Sequence, residues 1–201
     1  MKNGKQKNNI LHISRTMDIG GAERIVYQLA TDLKDEFDQV HVASTGGLWE
    51  EKLAENGIQH HQILDVASTG GLWEEKLAEN GIQHHRILDV DSKQPATVLK
   101  ILSRLSKIIK ENEITLVHTH HRMAAFYIRL LQLRHPKLIH VYTAHNVFKD
   151  KLPLYKFALG KARTVAVGEA VNENLKKDVG IKGSKVIYNG VILQESTKKV
   201  K

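Results

Sequence analysis

Asn9–Ala30 reads NILHISRTMDIGGAERIVYQLA, and this stretch decides the fold. Ile10, Leu11 and Ile13 make a short apolar run with one polar interruption. Arg15–Ile19 reads as a loop that Gly20-Gly21 closes. From Ala22 onward Ile25, Val26, Leu29, Ala30 and Leu33 recur at helical spacing. The order is strand, glycine turn, helix. Two glycines at a helix start let backbone N–H groups approach a ligand, and the helix dipole there favours an anion, often a phosphate. The pair is neither GxGxxG nor a P-loop, so on its own it fits a plain tight turn as well as a site.

At 201 residues the chain is long enough for one well-buried domain, or for one large half of a two-domain enzyme. It has no cysteine, which excludes a disulfide framework and a thiolate metal site and fits a reducing, cytoplasmic compartment. MKNGKQKNN at the start is polar and carries no apolar region of a signal peptide. No run approaches the roughly 20 apolar residues that span a bilayer. Of the net charge of +8, the tails Met1–Lys7 and Glu195–Lys201 contribute +5. Ser92–Arg163 carries fourteen Lys/Arg against Glu111, Glu113 and Asp150, so the first half is correspondingly acidic. A basic half of this kind suits phosphates, an anionic membrane surface or nucleic acid, or is simply a set of solvated helix faces.

Gln39–Ala43 alternates and reads as a second strand. Residues 42–65, VASTGGLWEEKLAENGIQHHQILD, then recur at 66–89 with one difference, Gln62 against Arg86. Two near-identical copies do not make a solenoid and point to a recent or engineered tandem duplication. Each copy offers a helix (Leu48–Asn56, Leu72–Asn80), a glycine stop and a strand (Ile58–Leu64, Ile82–Leu88). One helix–strand unit is therefore expected to leave the sheet or extend its edge. His60-His61 and His84-His85 tempt a zinc reading, but repetition alone doubles one pair, so no metal and no cofactor is expected.

Ser92 can cap, and Pro95 sits near the first turn of, a helix with the stripe Val98, Ile101, Leu102, Leu105, Ile108 and Ile109. Lys100, Arg104, Lys107 and Lys110 lie opposite, so the helix covers a sheet and could also touch a membrane. Ile114–His118 is a buried-type strand, Thr119–Arg122 its C-terminal loop and Met123–Leu133 a helix. Open α/β sheets bind ligands outside the carboxyl ends of their strands. His118, His120 and His121 gather there with Arg122. Histidine can bond a sugar hydroxyl or move a proton, and arginine can hold a phosphate. Lys137–Tyr142 is a further strand ending in Thr143-Ala144-His145-Asn146. Val147–Leu154 mixes lysines with Phe148, Leu152 and Leu154, which reads either as a surface patch for a lipid-linked substrate or as a mobile loop. Arg163–Val167 is a strand, Gly168–Val179 a helix stopped at Gly180, and Lys185–Tyr188 a last short strand. Residues 191–201 look like the start of a linker. Strand–helix repetition gives an open, mostly parallel Rossmann-like sheet flanked by helices.

Five motifs in this order, Asp18-Ile-Gly-Gly-Ala-Glu-Arg24, Leu116-Val-His-Thr-His120, Thr143-Ala-His-Asn146, Val165-Ala-Val-Gly168 and Val186-Ile-Tyr-Asn-Gly-Val191, resemble the N-terminal half of GT-B retaining glycosyltransferases of the family 4, or group 1, type. The resemblance covers Ile10–Val191 apart from the extra copy and makes 1–190 one acceptor-side domain. It implies sugar transfer from a nucleotide-sugar to a saccharide or lipid-linked acceptor, as in bacterial capsule and polysaccharide assembly, peripheral on the inner membrane face. It implies that Gly20 and Gly21 lie against the donor diphosphate, that His120 sits at the reacting centre, and that His145 and Asn146 line the cleft. His118 and Arg122 are added from position and charge. The family's second domain with its E-x7-E motif has no counterpart, since no two glutamates stand eight positions apart. The chain is thus expected not to turn over alone, and to work with a donor-domain polypeptide or as a non-catalytic binding subunit. A nucleic-acid module is disfavoured, because aromatics are 5% and no RRM, KH or helix-turn-helix pattern is present.

Overall fold

Short apolar strands alternating with amphipathic helices require both faces of a sheet to be covered, and the seven strands among the described residues, every neighbour parallel, form a sheet that meets that requirement. The computed structural model describes residues 8–18, 20–45, 47–62 and 94–189. The strands are β1 (Asn9–Ile13), β2 (Gln39–Ser44), β3 (Gln59–Gln62), β4 (Ile114–Thr119), β5 (Ile139–Ala144), β6 (Arg163–Ala166) and β7 (Lys185–Val186). The helices are α1 (Gly21–Asp32), α2 (Glu50–Glu55), α3 (Pro95–Glu111), α4 (Arg122–Leu131), α5 (Leu152–Leu159) and α6 (Glu169–Asn174). Leu175–Val179 continue α6 as a π-helical turn, which Gly180 ends at φ 80°.

The sheet order is β3-β2-β1-β4-β5-β6-β7. The chain therefore builds outward from β1 in one direction, then returns to build outward from β4 in the other. That reversal between β1 and β4 opens a crevice above the strand ends. Alternate residues of β1 face opposite layers. Ile10 joins Val26, Ala30, Val42 and Leu53 beneath α1 and α2. Leu11 and Ile13 join Ile101, Leu105, Val117, Tyr127 and Ile128 beneath α3 and α4. Tyr142, Ala144, Tyr155, Leu159 and Leu175 continue this second layer beneath α5 and α6.

Boundaries moved where turns intervene. β5 begins two residues later than expected, because Leu138 N–H donates to His135 O at 3.0 Å and holds Pro136-Lys137 in a turn. At its other end the strand runs on through Thr143 and Ala144, which pair with Val165 and Ala166. α2 begins at Glu50, because Trp49 N–H donates to Met17 O at 2.9 Å and ties the preceding turn to the β1–α1 loop.

The first copy of the repeat supplies α2 and the edge strand β3. Its Leu53 and Ile58 are buried, and its Gly47 packs against the backbone of Met17. The expectation for the second copy, 66–89, lies outside the described residues, as does Ser92. Counted only as chain to be closed between β3 and α3, an extra 24 residues lengthen 8 residues to 32. By loop-closure entropy this costs about 1.2 kcal/mol. Deleting Val66–Asp89 is accordingly expected to raise the melting temperature by roughly 2–5 °C. Equal thermal midpoints for the two forms in calorimetry would show that the copy carries no such cost.

Candidate active site

The crevice between β1 and β4 is lined by histidines. Parallel register pairs His12 of β1 with His118 of β4. Both lie on the α1 face, at the parity of Ile10 and Leu116. His120 follows β4, and its N–H donates to Ile13 O at 3.1 Å, which carries the pairing one step past the strand. Ring centroids are 4.2 Å apart for His118–His120, 5.2 Å for His12–His118 and 5.5 Å for His120–His145. His145 closes the group from the end of β5, its Nε2 3.2 Å from His120 Nδ1. His118 Nε2 is 2.8 Å from Thr143 Oγ1. His12, His118 and His120 also bring ligand atoms within 4.8 Å of one another.

Burial holds these rings neutral. It pushes His12 and His120 well below the usual histidine value, with neighbouring imidazoles adding repulsion. It takes His118 to about 4, His145 adding to the effect, and His140 to about 3, with His118 and Arg129 adding. Burial lowers His145 too, against an opposing pull from Glu23. Free histidine titrates near 6.5, so on acidification the unfolded chain takes up these protons first. The stability held by neutral His118 and His140 is complete above about pH 6.5. It is lost as pH falls through about 4 and about 3. Melting temperature measured by circular dichroism should therefore drop steadily from pH 6.5 to pH 4, and a flat profile would contradict a desolvated cluster.

Neutral imidazoles can donate to and accept from hydroxyl groups and can move a proton. They supply no fixed positive charge. That has to come from the α1 terminus, where Gly20 is the N-cap residue and Gly21 begins the helix. A Cβ at Gly20 would overlap the Glu23 carboxylate, whereas one at Gly21 would meet nothing within 4 Å. Glu23 folds back over Gly20 and accepts from Thr16 Oγ1 at 3.3 Å.

Of the residues singled out in the sequence, His118, His120 and His145 form one group, and Gly20 and Gly21 begin the helix that covers its face. Asn146 is exposed. Arg122 is committed elsewhere: its guanidinium stacks 3.7 Å over Phe148 and donates to Asp150 at 2.9 Å. Phe148 is also clamped by Asn174, which accepts from its N–H at 3.0 Å and donates to its carbonyl at 2.8 Å. The loop after β5 is thus pinned at Phe148, and of its large apolar residues Val147 and Leu154 stand well exposed, at 45% and 41%. His12, Thr143 and Glu23 were not singled out. For His12 the available signal was a polar residue inside an apolar strand, which gains meaning only once β1 pairs with β4.

The family model described as Glycosyltransferase Family 4 matches residues 19–195. No curated protein sequence matches significantly. A glycosyltransferase from Rickettsia africae is similar in structure, with TM-score 0.66 and 21% identity over 93% of this chain and 44% of that one. An Anabaena protein, HepE, solved in complex with UDP and glucose, gives 0.62 and 17% over 92% and 45%. A sucrose-phosphate synthase structure from Thermosynechococcus elongatus gives 0.56 and 16% over 91% and 90%. The chain thus spans under half of the first two, and at these identities the likeness is one of fold.

Proposed function

The chain belongs to glycosyltransferase family 4, and on that premise we propose that it forms the acceptor-side wall of the cleft of a retaining transferase. The substrates are a nucleotide-sugar donor and a saccharide acceptor, lipid-linked in bacterial surface polysaccharide synthesis. The observation that carries this reading is the neutral histidine group at the β1/β4 crevice, on the sheet face that α1 covers, with Gly20-Gly21 opening that helix.

In transfer, the bond between the sugar's anomeric carbon and the diphosphate oxygen breaks, and a bond to the acceptor hydroxyl oxygen forms. The hydroxyl proton leaves to the departing diphosphate. His120 has Nδ1 engaged by His145, so Nε2 is the atom left to meet a hydroxyl of the transferred sugar. Among the described residues that atom is buried without a hydrogen-bond partner, and a sugar hydroxyl would satisfy it. N–H groups at Gly20 and Gly21 and the α1 dipole would face the diphosphate as its charge grows. His118 and Thr143 hold the floor of the crevice, while His145 and Asn146 line its rim. Arg122 fixes the rim loop through Phe148 and Asp150. The nucleotide itself would be held by a donor domain facing this one.

The test is a label-transfer assay on membranes carrying lipid-linked acceptors, with a panel of labelled nucleotide-sugars. The chain, the chain without Val66–Asp89, and that shortened chain joined to a family donor domain are compared. Label in lipid only with the joined protein is the expected result. No label from a folded joined protein that still binds nucleotide would count against an acceptor wall and favour a non-catalytic binding subunit.

A further inference from the structure

The sequence draws attention to the adjacent histidines of the repeated segment, but the fold assembles a different set. His12 comes from β1, His118 from β4 and His120 from the position just past β4, and all three are buried. One ring nitrogen from each lies within 4.8 Å of those of the other two. The transfer chemistry above uses His120 Nε2 and gives His12 no task.

Hydrogen bonding leaves a coordinating nitrogen on each ring. His118 has Nε2 2.8 Å from Thr143 Oγ1, which leaves Nδ1. His120 has Nδ1 3.2 Å from His145 Nε2, which leaves Nε2. Both nitrogens of His12, like His120 Nε2, are buried without a hydrogen-bond partner among the described residues. Buried polar atoms without partners cost stability, and a core built only for packing would hold leucine or phenylalanine here. One cation would satisfy all three rings at once. Thr143 and His145 bond the second ring nitrogen, as the outer partners of metal-bound histidines do. Burial keeps the rings neutral, so their lone pairs are available near neutral pH. Nitrogens about 2.0–2.1 Å from zinc lie roughly 3.3 Å apart on a tetrahedron, so the rings close in by at most about 1.5 Å. Rotation of the imidazoles about their side-chain bonds covers that distance. His118 and His120 are 8% and 7% exposed against 0% for His12, so the ion enters from the crevice and keeps its fourth position there.

We propose that His12, His118 and His120 form a three-nitrogen site for a divalent transition metal, zinc by ligand type, with water in the fourth position. Imidazole suits zinc, nickel and copper, whereas magnesium prefers oxygen. No step of the transfer is routed through the ion. It occupies the nitrogen that the transferred sugar would need, so zinc and substrate exclude one another and the ion acts as an inhibitor. That consequence rests on the transfer reading, whereas the metal site itself does not.

The experiment is a titration of the full chain, stripped with EDTA, with Co²⁺ alone and then with Zn²⁺, read as the visible absorption of four-coordinate cobalt. One equivalent of cobalt should develop the band, one equivalent of zinc should remove it, and excess Mg²⁺ should leave it. Exposed histidines hold cobalt six-coordinate and give no such band. His12→Phe should abolish it. His120→Gln should do the same, its backbone held by the N–H bond to Ile13 O, and it decides the matter where His12→Phe fails to fold by circular dichroism. Thr143→Val should weaken binding by roughly 10–100-fold. The combined variant His60→Gln, His61→Gln, His84→Gln, His85→Gln should leave the band unchanged. Absence of the band from the folded chain, its survival in either folded single-histidine variant, or its loss in the folded combined variant would each overturn the proposal. In the transfer assay with the joined protein, zinc should inhibit and EDTA restore activity. Zinc binding without inhibition would uphold the site and count against His120 Nε2 as the sugar contact, which separates the two readings.

Discussion

Replacing His120 by alanine is expected to lower sugar transfer by roughly 10²–10³-fold, measured on the chain joined to a donor domain, with the melting temperature lowered by no more than a few degrees. The size follows from what a positioned hydrogen-bonding or proton-moving group contributes at a reacting centre. His120 is the ring whose one nitrogen is engaged by His145 while the other is buried without a protein partner among the described residues. Its position is set by the sheet, through the bond from its own N–H to Ile13. Backbone geometry therefore survives the substitution. His120→Asn, which can still donate to a hydroxyl, should recover part of the rate. A loss that falls on the acceptor KM alone, with kcat intact, would place His120 on the acceptor rather than at the reacting centre.

The second large effect concerns the repeat. Leu53 is fully buried under α1, beside Val26, Ala30 and Val42. Leu53→Ala is expected to cost about 2–5 kcal/mol, or on the order of 10 °C in melting temperature for a chain of this size. Leu77 is its counterpart at the same place in the second copy. Leu53 fills its place in this core, so Leu77→Ala is expected to cost less than half as much. Gly47 sharpens the comparison. Its φ is 149°, and a Cβ there would overlap the Met17 backbone. A conformation of this kind costs a non-glycine residue about 1–3 kcal/mol, before the overlap is relieved. Gly47→Ala should therefore destabilise strongly, and Gly71→Ala, its counterpart, weakly. Equal losses in both pairs, read by calorimetry, would mean that the two copies exchange in one slot.

Much of the architecture was legible because strand and helix periods are local. Ile10, Leu11 and Ile13 announce β1, and Ile25, Val26 and Leu29 announce α1, before any contact is known. The family was legible for a similar reason: its motifs sit at strand ends in a fixed order. What could not be read is what pairing creates. Nothing local says that His12 meets His118, since 106 residues separate them in sequence. Thr143 looked like loop because the pairing that keeps it in β5, with Val165 of β6, lies 22 positions further along the chain. Arg122 looked like a phosphate ligand because a sequence shows its charge but not Asp150 and Phe148, which occupy it. The lysine-rich loop looked open because its anchor, Asn174, lies 26 residues further on.

The central position of β1 also bears on how the chain is made. One edge of β1 is met by β2, complete at Ser44, while the other waits for β4, complete at Thr119. At a synthesis rate of about 5–20 residues per second, those 75 residues take about 4–15 s to follow. During that interval the nascent chain presents an unpaired strand edge, the kind of surface that recruits other chains. The 24 residues of the repeated segment fall inside it, and they account for about 1–5 s of the wait. Lengthening the chain here thus prolongs the period in which the unpaired edge of β1 stays open to other chains.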